Sequence, residues 1–175
     1  SLDVVGGGSS SDAFRFDNTE GVGATPNPQL AAIIGGDGFD TIVGDDATLA
    51  AGSRRHEFVV TGANSGTLSM TSLGSGIELL SGAWSEVENL VGGEQDDRFT
   101  FANAGSITGN VDGDRGNDEL DGAEDGNLFT VTAQDRGDLA GKIGGDFINI
   151  ETLIGGAGQD MVTVNANLGG DILTL

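Results

Sequence analysis

One short phrase recurs along the chain. Two apolar residues run into a glycine pair, a few small or acidic residues follow, then an Asp or a close neighbour, then alternating apolar residues. It reads VVGGGSSSDAFRF from Val4, IIGGDGFDTIV from Ile33, LVGGEQDDRFTF from Leu90 and LIGGAGQDMVTV from Leu153. The lead-ins VENLVGG from Val87 and IETLIGG from Ile150 match as well. A phrase this short cannot bury its own apolar side. It needs neighbours of the same kind above and below, which is the logic of a repeat architecture.

The second half keeps a 21-residue lattice. Val87, Thr108, Phe129 and Ile150 form one series; Leu90, Val111, Thr132 (with Val131 beside it) and Leu153 form another. Phe99, Leu120, Gly141 and Val162 form a third, and Phe101, Gly122, Ile143 and Val164 a fourth. Polar positions fall into columns too: Asp97, Asp118, Leu139 and Asp160, beside Asp96, Asn117, Asp138 and Gln159. This period predicts an all-β chain, a parallel β-helix or β-roll solenoid with coils of about 20–21 residues stacked at the strand spacing of ~4.8 Å. Residues 1–175 form one segment, less regular over 1–86 and regular over 87–175, expected to be a fragment of a larger repeat protein. The stretches Thr25–Pro28 and Ser69–Ser85 read as loops that break the register. With 32 glycines placed every few residues, long helices are disfavoured. The rival fold is a β-sandwich with repeated hairpins, which has no reason to hold the 21-residue columns.

The charge balance removes several functions. There are 7 Lys+Arg against 28 Asp+Glu, a formal net charge of −21. So few cations cannot neutralise a nucleic-acid backbone. The chain has no cysteine, so it offers no thiolate ligand or nucleophile. No apolar run is long enough for a membrane-inserted helix. The one histidine, His56, stands beside Arg54, Arg55 and Glu57 and is expected at the surface. Ser75 and Ser81 lie in no nucleophile elbow, and Lys142, Arg15, Arg98, Arg115 and Arg136 make no basic cluster. The expectation is a protein that is not an enzyme. Trp84 is expected to cap the core.

The strongest local motifs are GGDGFDTIV (Gly35–Val43) and GGAGQDMVT (Gly155–Thr163), full matches to the nonapeptide Gly-Gly-Xaa-Gly-Xaa-Asp-Xaa-apolar-Xaa. GDRGNDELD (Gly113–Asp121) lacks only the second Gly, while GGEQDDRFT (Gly92–Thr100) has Gln95 and GGSSSDAFR (Gly7–Arg15) has Ser10 at the fourth position. Stacked coils would place Asp97 and Asp118 ~4.8 Å apart. Two carboxylates at that distance repel by ~3.5 kcal/mol at an effective dielectric of 20. A cation relieves the column, and all-oxygen ligands favour Ca2+. The candidate calcium residues are Gly35, Asp37, Asp40, Gly92, Asp96, Asp97, Asp112, Asp114, Asp118, Gly155 and Asp160. The densest acidic cluster is VDGDRGNDELD (Val111–Asp121). The alternative is that these residues only form turns.

The Gly-Asp turns resemble the calcium-binding turns of the RTX family of secreted toxins, proteases and adhesins. That resemblance implies a parallel β-roll with ions between stacked turns. The matches here are spaced tens of residues apart, which implies one or two ions. The longer pattern of HEFVVTGANSGTL (His56–Leu68), VENLVGGEQDDRFTF and AGSITGNVDGDRGNDELDG (Ala104–Gly122) looks like repeats of very large bacterial surface proteins. A degenerate second copy runs from LFTVTAQDRGDL (Leu128–Leu139) into IETLIGGAGQDMVTV. The resemblance implies a calcium-stabilised structural repeat of an adhesin or self-assembling surface fibre, secreted or on the bacterial cell surface. Its implied partners are other copies or adjacent repeats end to end, with a glycan or a host or matrix surface beyond them. The alternatives are an accessory β-roll of a secreted enzyme and a carbohydrate-binding or polysaccharide-modifying β-helix.

Overall fold

The computed structural model describes residues 2–15, 30–44, 54–72 and 78–165. Among them the chain is all β, with 16 strands and no helix. The strands form two mixed sheets of eight, neither closed on itself. The first sheet runs, in spatial order, β1 (Leu2–Val5), β3 (Leu30–Ile34), β7 (Glu78–Ser85), β6 (Ser65–Ser72), β5 (Arg54–Gly62), β9 (Arg98–Phe101), β11 (Glu119–Asp121), β15 (Thr152–Ile154). The second runs β16 (Met161–Val164), β12 (Leu128–Ala133), β13 (Arg136–Leu139), β14 (Phe147–Ile148), β10 (Val111–Asp114), β8 (Asn89–Gly93), β4 (Thr41–Val43), β2 (Ala13–Arg15).

For most of its length the chain alternates between the sheets, and strands meeting within a sheet are parallel. Two excursions interrupt this. β5, β6 and β7 stay in the first sheet, and β12, β13 and β14 stay in the second, so β6 and β13 run antiparallel to their neighbours. Each first hairpin is closed by a two-residue tip whose second residue is left-handed: Asn64 at φ 47° and Asp135 at φ 51°. Short amide and acid side chains tolerate that conformation.

The described part of Ser69–Ser85 is therefore strand, in β6 and β7, and not the loop its irregular spacing suggests. What disguises it is glycine. Gly66 of β6 stands directly opposite Trp84 of β7, and the indole lies where a Cβ on Gly66 would go, 2.7 Å from that point. Gly137 of β13 stands opposite Phe147 of β14 in the same way. Thr25–Pro28 lies outside the described residues.

The inward faces build one core. In β9, Phe99 and Phe101 are buried and alternate with half-buried Arg98 and Thr100, the period of a pleated strand. Phe58 and Phe99 face each other across β5 and β9 with stacked rings 4.9 Å apart. Leu90, Val111, Leu120, Phe129 and Phe147 complete the interior. Burying each such side chain contributes roughly 1.5–3 kcal/mol.

The 21-residue lattice holds for one step and then fails. Leu90 pairs with Val111, and Phe99 with Leu120. Beyond them the excursion β12–β14 inserts extra chain. Val111 is followed in its sheet by Phe147, and Leu120 by Leu153. Leu153 consequently lies in the first sheet, away from Leu90 and Val111 in the second. Gly141 and Thr132 are not members of the columns that spacing alone assigns to them.

Candidate functional site

The site is a set of acid-to-backbone rungs at the points where the chain turns into a sheet. At the first sheet, His56 donates its backbone N–H to Asp97 Oδ1 (2.8 Å), Asp97 donates to Asp118 Oδ1 (2.6 Å), and Asp118 donates to Glu151 Oε2 (2.7 Å). At the second sheet, Asp12 donates to Asp40 Oδ1 (2.7 Å) and Asp40 to Glu88 Oε2 (2.8 Å). Near its other end Asn127 donates to Asp160 Oδ1 (2.9 Å). Charge-assisted bonds of this kind are about twice as strong as neutral ones.

A simple periodicity places them. Each rung residue stands two positions before the first inward apolar residue of its strand: Asp12 before Phe14, Asp40 before Ile42, His56 before Phe58, Glu88 before Leu90. Asp97, Asp118, Asn127, Glu151 and Asp160 precede Phe99, Leu120, Phe129, Leu153 and Val162 likewise. Two steps along an extended chain return a side chain to the same face. The inner rungs therefore point inward with the core: Asp40, His56, Asp97 and Asp118 are all 0% exposed, while Glu151 and Asp160 in the outermost strands are exposed.

The first glycine of the Gly-Asp motif makes room for the acid five residues later. A Cβ on Gly92 would stand 2.5 Å from Asp97 Oδ2 and 2.7 Å from the carbonyl oxygen of Gly113 on the next turn. On Gly113 it would collide with Asp118 Oδ2 and the Asn149 carbonyl, and on Gly35 with Asp40 Oδ2 and the Glu86 carbonyl. Gly155 stands in the same relation to Asp160. The fourth-position glycines Gly38 and Gly116 serve the turn itself, at φ 137° and 136°.

At Gly35, Gly92 and Gly113 an acid oxygen and a backbone carbonyl oxygen both lie within 2.7 Å of the point a Cβ would occupy. The Oδ2 atoms of Asp40, Asp97 and Asp118 are buried and have no hydrogen-bond partner. One related turn, Gly122–Asn127, carries an amide where the acid stands. There Asn127 Nδ2 donates to the Gly155 carbonyl (2.5 Å) and to the Ala123 carbonyl (2.8 Å). The acidic corners present oxygen to oxygen in the place where the amide corner has a donor. Burial, reinforced by the charges of Asp97, Glu151 and Asp96, pushes the Asp118 carboxyl up to about 8. An oxygen-only donor set with an unpartnered buried carboxylate suits a hard cation.

The remaining candidates do other work. Asp96 Oδ1 accepts the Asn117 N–H (3.0 Å). Asp112 Oδ1 accepts the Asp114 N–H (3.0 Å) and Asn149 Nδ2 (2.8 Å). Asp37 and Asp114 are exposed. Among the described residues no three His, Cys, Asp or Glu side chains converge on one point. The carboxylates are strung along the sheets, and at Gly35, Gly92 and Gly113 the acid oxygen is accompanied by a backbone carbonyl.

His56 is not at the surface. It is buried, and its Nδ1 lies 2.9 Å from Asp97 Oδ1. Its neighbours in sequence are misleading because Arg55 and Glu57 point to the other side of the strand. Arg55 pairs with Glu119 at 2.8 Å on the outer face. Glu88, Glu151, His56 and Asn127 all lie outside the Gly-Asp motifs, and the signal that finds them is the polar residue at minus two from each strand's first apolar residue.

The chain matches no family model, and no curated protein or solved structure is significantly similar to it.

Proposed function

We propose that the chain is a calcium-stabilised β-solenoid segment, a structural repeat of a secreted or surface-exposed bacterial protein of the adhesin or fibre type. Chain that alternates between two sheets and meets parallel neighbours in each is what stacked coils produce, the two excursions being hairpins inserted into the stack. The observation that carries the reading is the buried pair Asp97 and Asp118. Each gives one oxygen to a backbone N–H of the preceding strand and keeps the other buried without a hydrogen-bond partner, in a corner that also holds a backbone carbonyl of the next turn.

Asp97, Asp118 and Asp40, with the carbonyls of Gly113, Asn149 and Glu86, are the groups that would hold calcium. The ion would supply the positive charge that these acceptors lack. Outside the cell, where extracellular modules bind calcium at ~10⁻⁴–10⁻³ M, such a corner need not be a tight site. The role is mechanical: ion binding becomes folding energy and stiffens an acidic rod. A glycan-stacking role for Trp84 is not supported, because the indole is 2% exposed.

Thermal unfolding in excess EDTA, calcium or magnesium tests this. Calcium at 100 times its Kd adds about 2.7 kcal/mol, a rise in Tm of roughly 5–10 °C for a chain of this size. Asp118→Asn and Asp97→Asn are expected to remove most of the rise. An identical wild-type Tm in EDTA and calcium would overturn the calcium reading.

A further inference from the structure

Among the described residues, six rung side chains are buried, and they sort into two kinds. Asp40, His56, Glu88, Asp97, Asp118 and Asn127 are none of them more than 8% exposed. The three motif acids, Asp40, Asp97 and Asp118, each keep an Oδ2 with no hydrogen-bond partner. The three rungs outside the motif are closed by nitrogen.

Asn127 directs both its backbone N–H and its Nδ2 at one atom, Asp160 Oδ1, at 2.9 and 2.8 Å. The same amide reaches the Ala123 and Gly155 carbonyls. His56 repeats the arrangement. Its backbone N–H and its Nδ1 both meet Asp97 Oδ1, at 2.8 and 2.9 Å. A Cβ on Gly44 would meet the Gly92 carbonyl and, 3.0 Å away, His56 Cε1, so the imidazole edge stands in the corner where a motif acid would bring its second oxygen. His56 and Asn127 also hold the same place in the chain, two residues before the first inward phenylalanine of β5 and of β12. Glu88 is an acid, but Asn64 closes it: Oε2 accepts the Asp40 N–H, and Oε1 accepts Asn64 Nδ2 at 2.9 Å.

Two buried acceptors that face each other need a cation or a hydrogen-bond donor between them. We infer that Asn127, His56 and Asn64 stand where the motif corners take an ion, and that they keep calcium out of their own corners. This rests on the calcium reading above and sorts its corners: the side chain at the rung decides which of them binds. The two hairpin excursions, which open at His56 and Asn127, are then joined to the stack without a metal.

Asn127→Asp tests this, because it replaces the amide that fills the corner with a second oxygen beside the Gly155 carbonyl. Melting is followed by circular dichroism in EDTA and in excess calcium. The variant is expected to melt below wild type in EDTA, and to gain more from calcium than wild type does, by roughly 5 °C, the effect of one further site. Asn103→Asp adds the same charge at an exposed position and is expected to keep the wild-type gain. A gain for Asn127→Asp no larger than that of wild type overturns the inference. An equal gain for Asn103→Asp overturns it too, since charge screening then accounts for the effect. Failure of the calcium reading looks different. A wild type indifferent to calcium beside a responsive Asn127→Asp ends that reading and leaves the amide as the ion's substitute; indifference in both ends the two together. Should Asn127→Asp not fold even in calcium, Asp97→Asn decides: the new amide faces the Gly113 carbonyl, so a Tm in EDTA at or above that of wild type supports the inference, and a lower one refutes it.

Discussion

The backbone N–H of Asp97 and the carboxylate of Asp118, 21 residues apart, are joined by a 2.6 Å hydrogen bond in the buried interior. The pair ties β9 to β11 at the point where the chain enters the sheet, and it links the repeat period to the charge problem. The residue that makes the link is also the one whose second oxygen has no partner.

Asp118 makes the metal-free protein sensitive to alkali. Its carboxyl is raised from 3.8 to about 8, by burial first and then by Asp97, Glu151 and Asp96. A carboxyl raised on folding contributes stability that is fully present below its unfolded value and is lost as pH rises through the folded value. In EDTA, the Tm is expected to fall between pH 5 and pH 9. Asp118→Asn is expected to flatten that slope, since Asn127 shows that an amide fits an equivalent corner. Calorimetry of both proteins across the range checks this.

His56→Ala leaves a hole beside Phe58 and removes a partner of Asp97 Oδ1. The expected loss is about 2–4 kcal/mol in urea unfolding. His56→Asn, which copies Asn127 at the matching place in the second copy, is expected to recover part of it. Equal losses for the two would show that the side chain acts by volume alone.

Two glycines separate close approach from composition. Gly92→Ala drives a methyl against Asp97 Oδ2 and the Gly113 carbonyl, and is expected to cost roughly 1–3 kcal/mol. Gly7→Ala meets nothing within 4 Å and is expected to stay within about 0.5 kcal/mol of wild type. Paired urea titrations read the difference.

Trp84 is a packing residue on this account. Trp84→Phe reproduces the Gly137–Phe147 arrangement and sheds a buried indole N–H that has no partner, so a change of under ~1.5 kcal/mol is expected. Trp84→Ala uncovers Gly66 and is expected to cost about 3–5 kcal/mol. Fluorescence-independent unfolding by circular dichroism measures both.

The sequence shows its β character and its first parallel steps openly. Leu90 with Val111 and Phe99 with Leu120 are direct partners because one uninterrupted circuit of chain separates them. Leu153 goes astray because β12–β14 add strands that a fixed period does not count. Ser69–Ser85 reads as loop because Gly74, Gly76 and Gly82 dilute the alternation, while its Trp84 lays its bulk over Gly66 of the neighbouring strand. Asp40, Asp97, Asp118 and Asp160 are legible as motif acids. Glu88 and Glu151 fill the same role without the motif's glycines, and His56 is hidden between charged neighbours that face outward.

Backbone amide exchange followed by NMR tests the central claim most directly. The N–H groups of Asp40, Asp97 and Asp118 belong to turn-adjacent residues and that of His56 lies near the start of β5, yet each is held by a side-chain oxygen at the start of the next strand of its sheet. They are expected to exchange as slowly as the core amides of Phe99 and Leu120. Exchange at the rate of an exposed turn residue such as Asp37 would contradict the ladder.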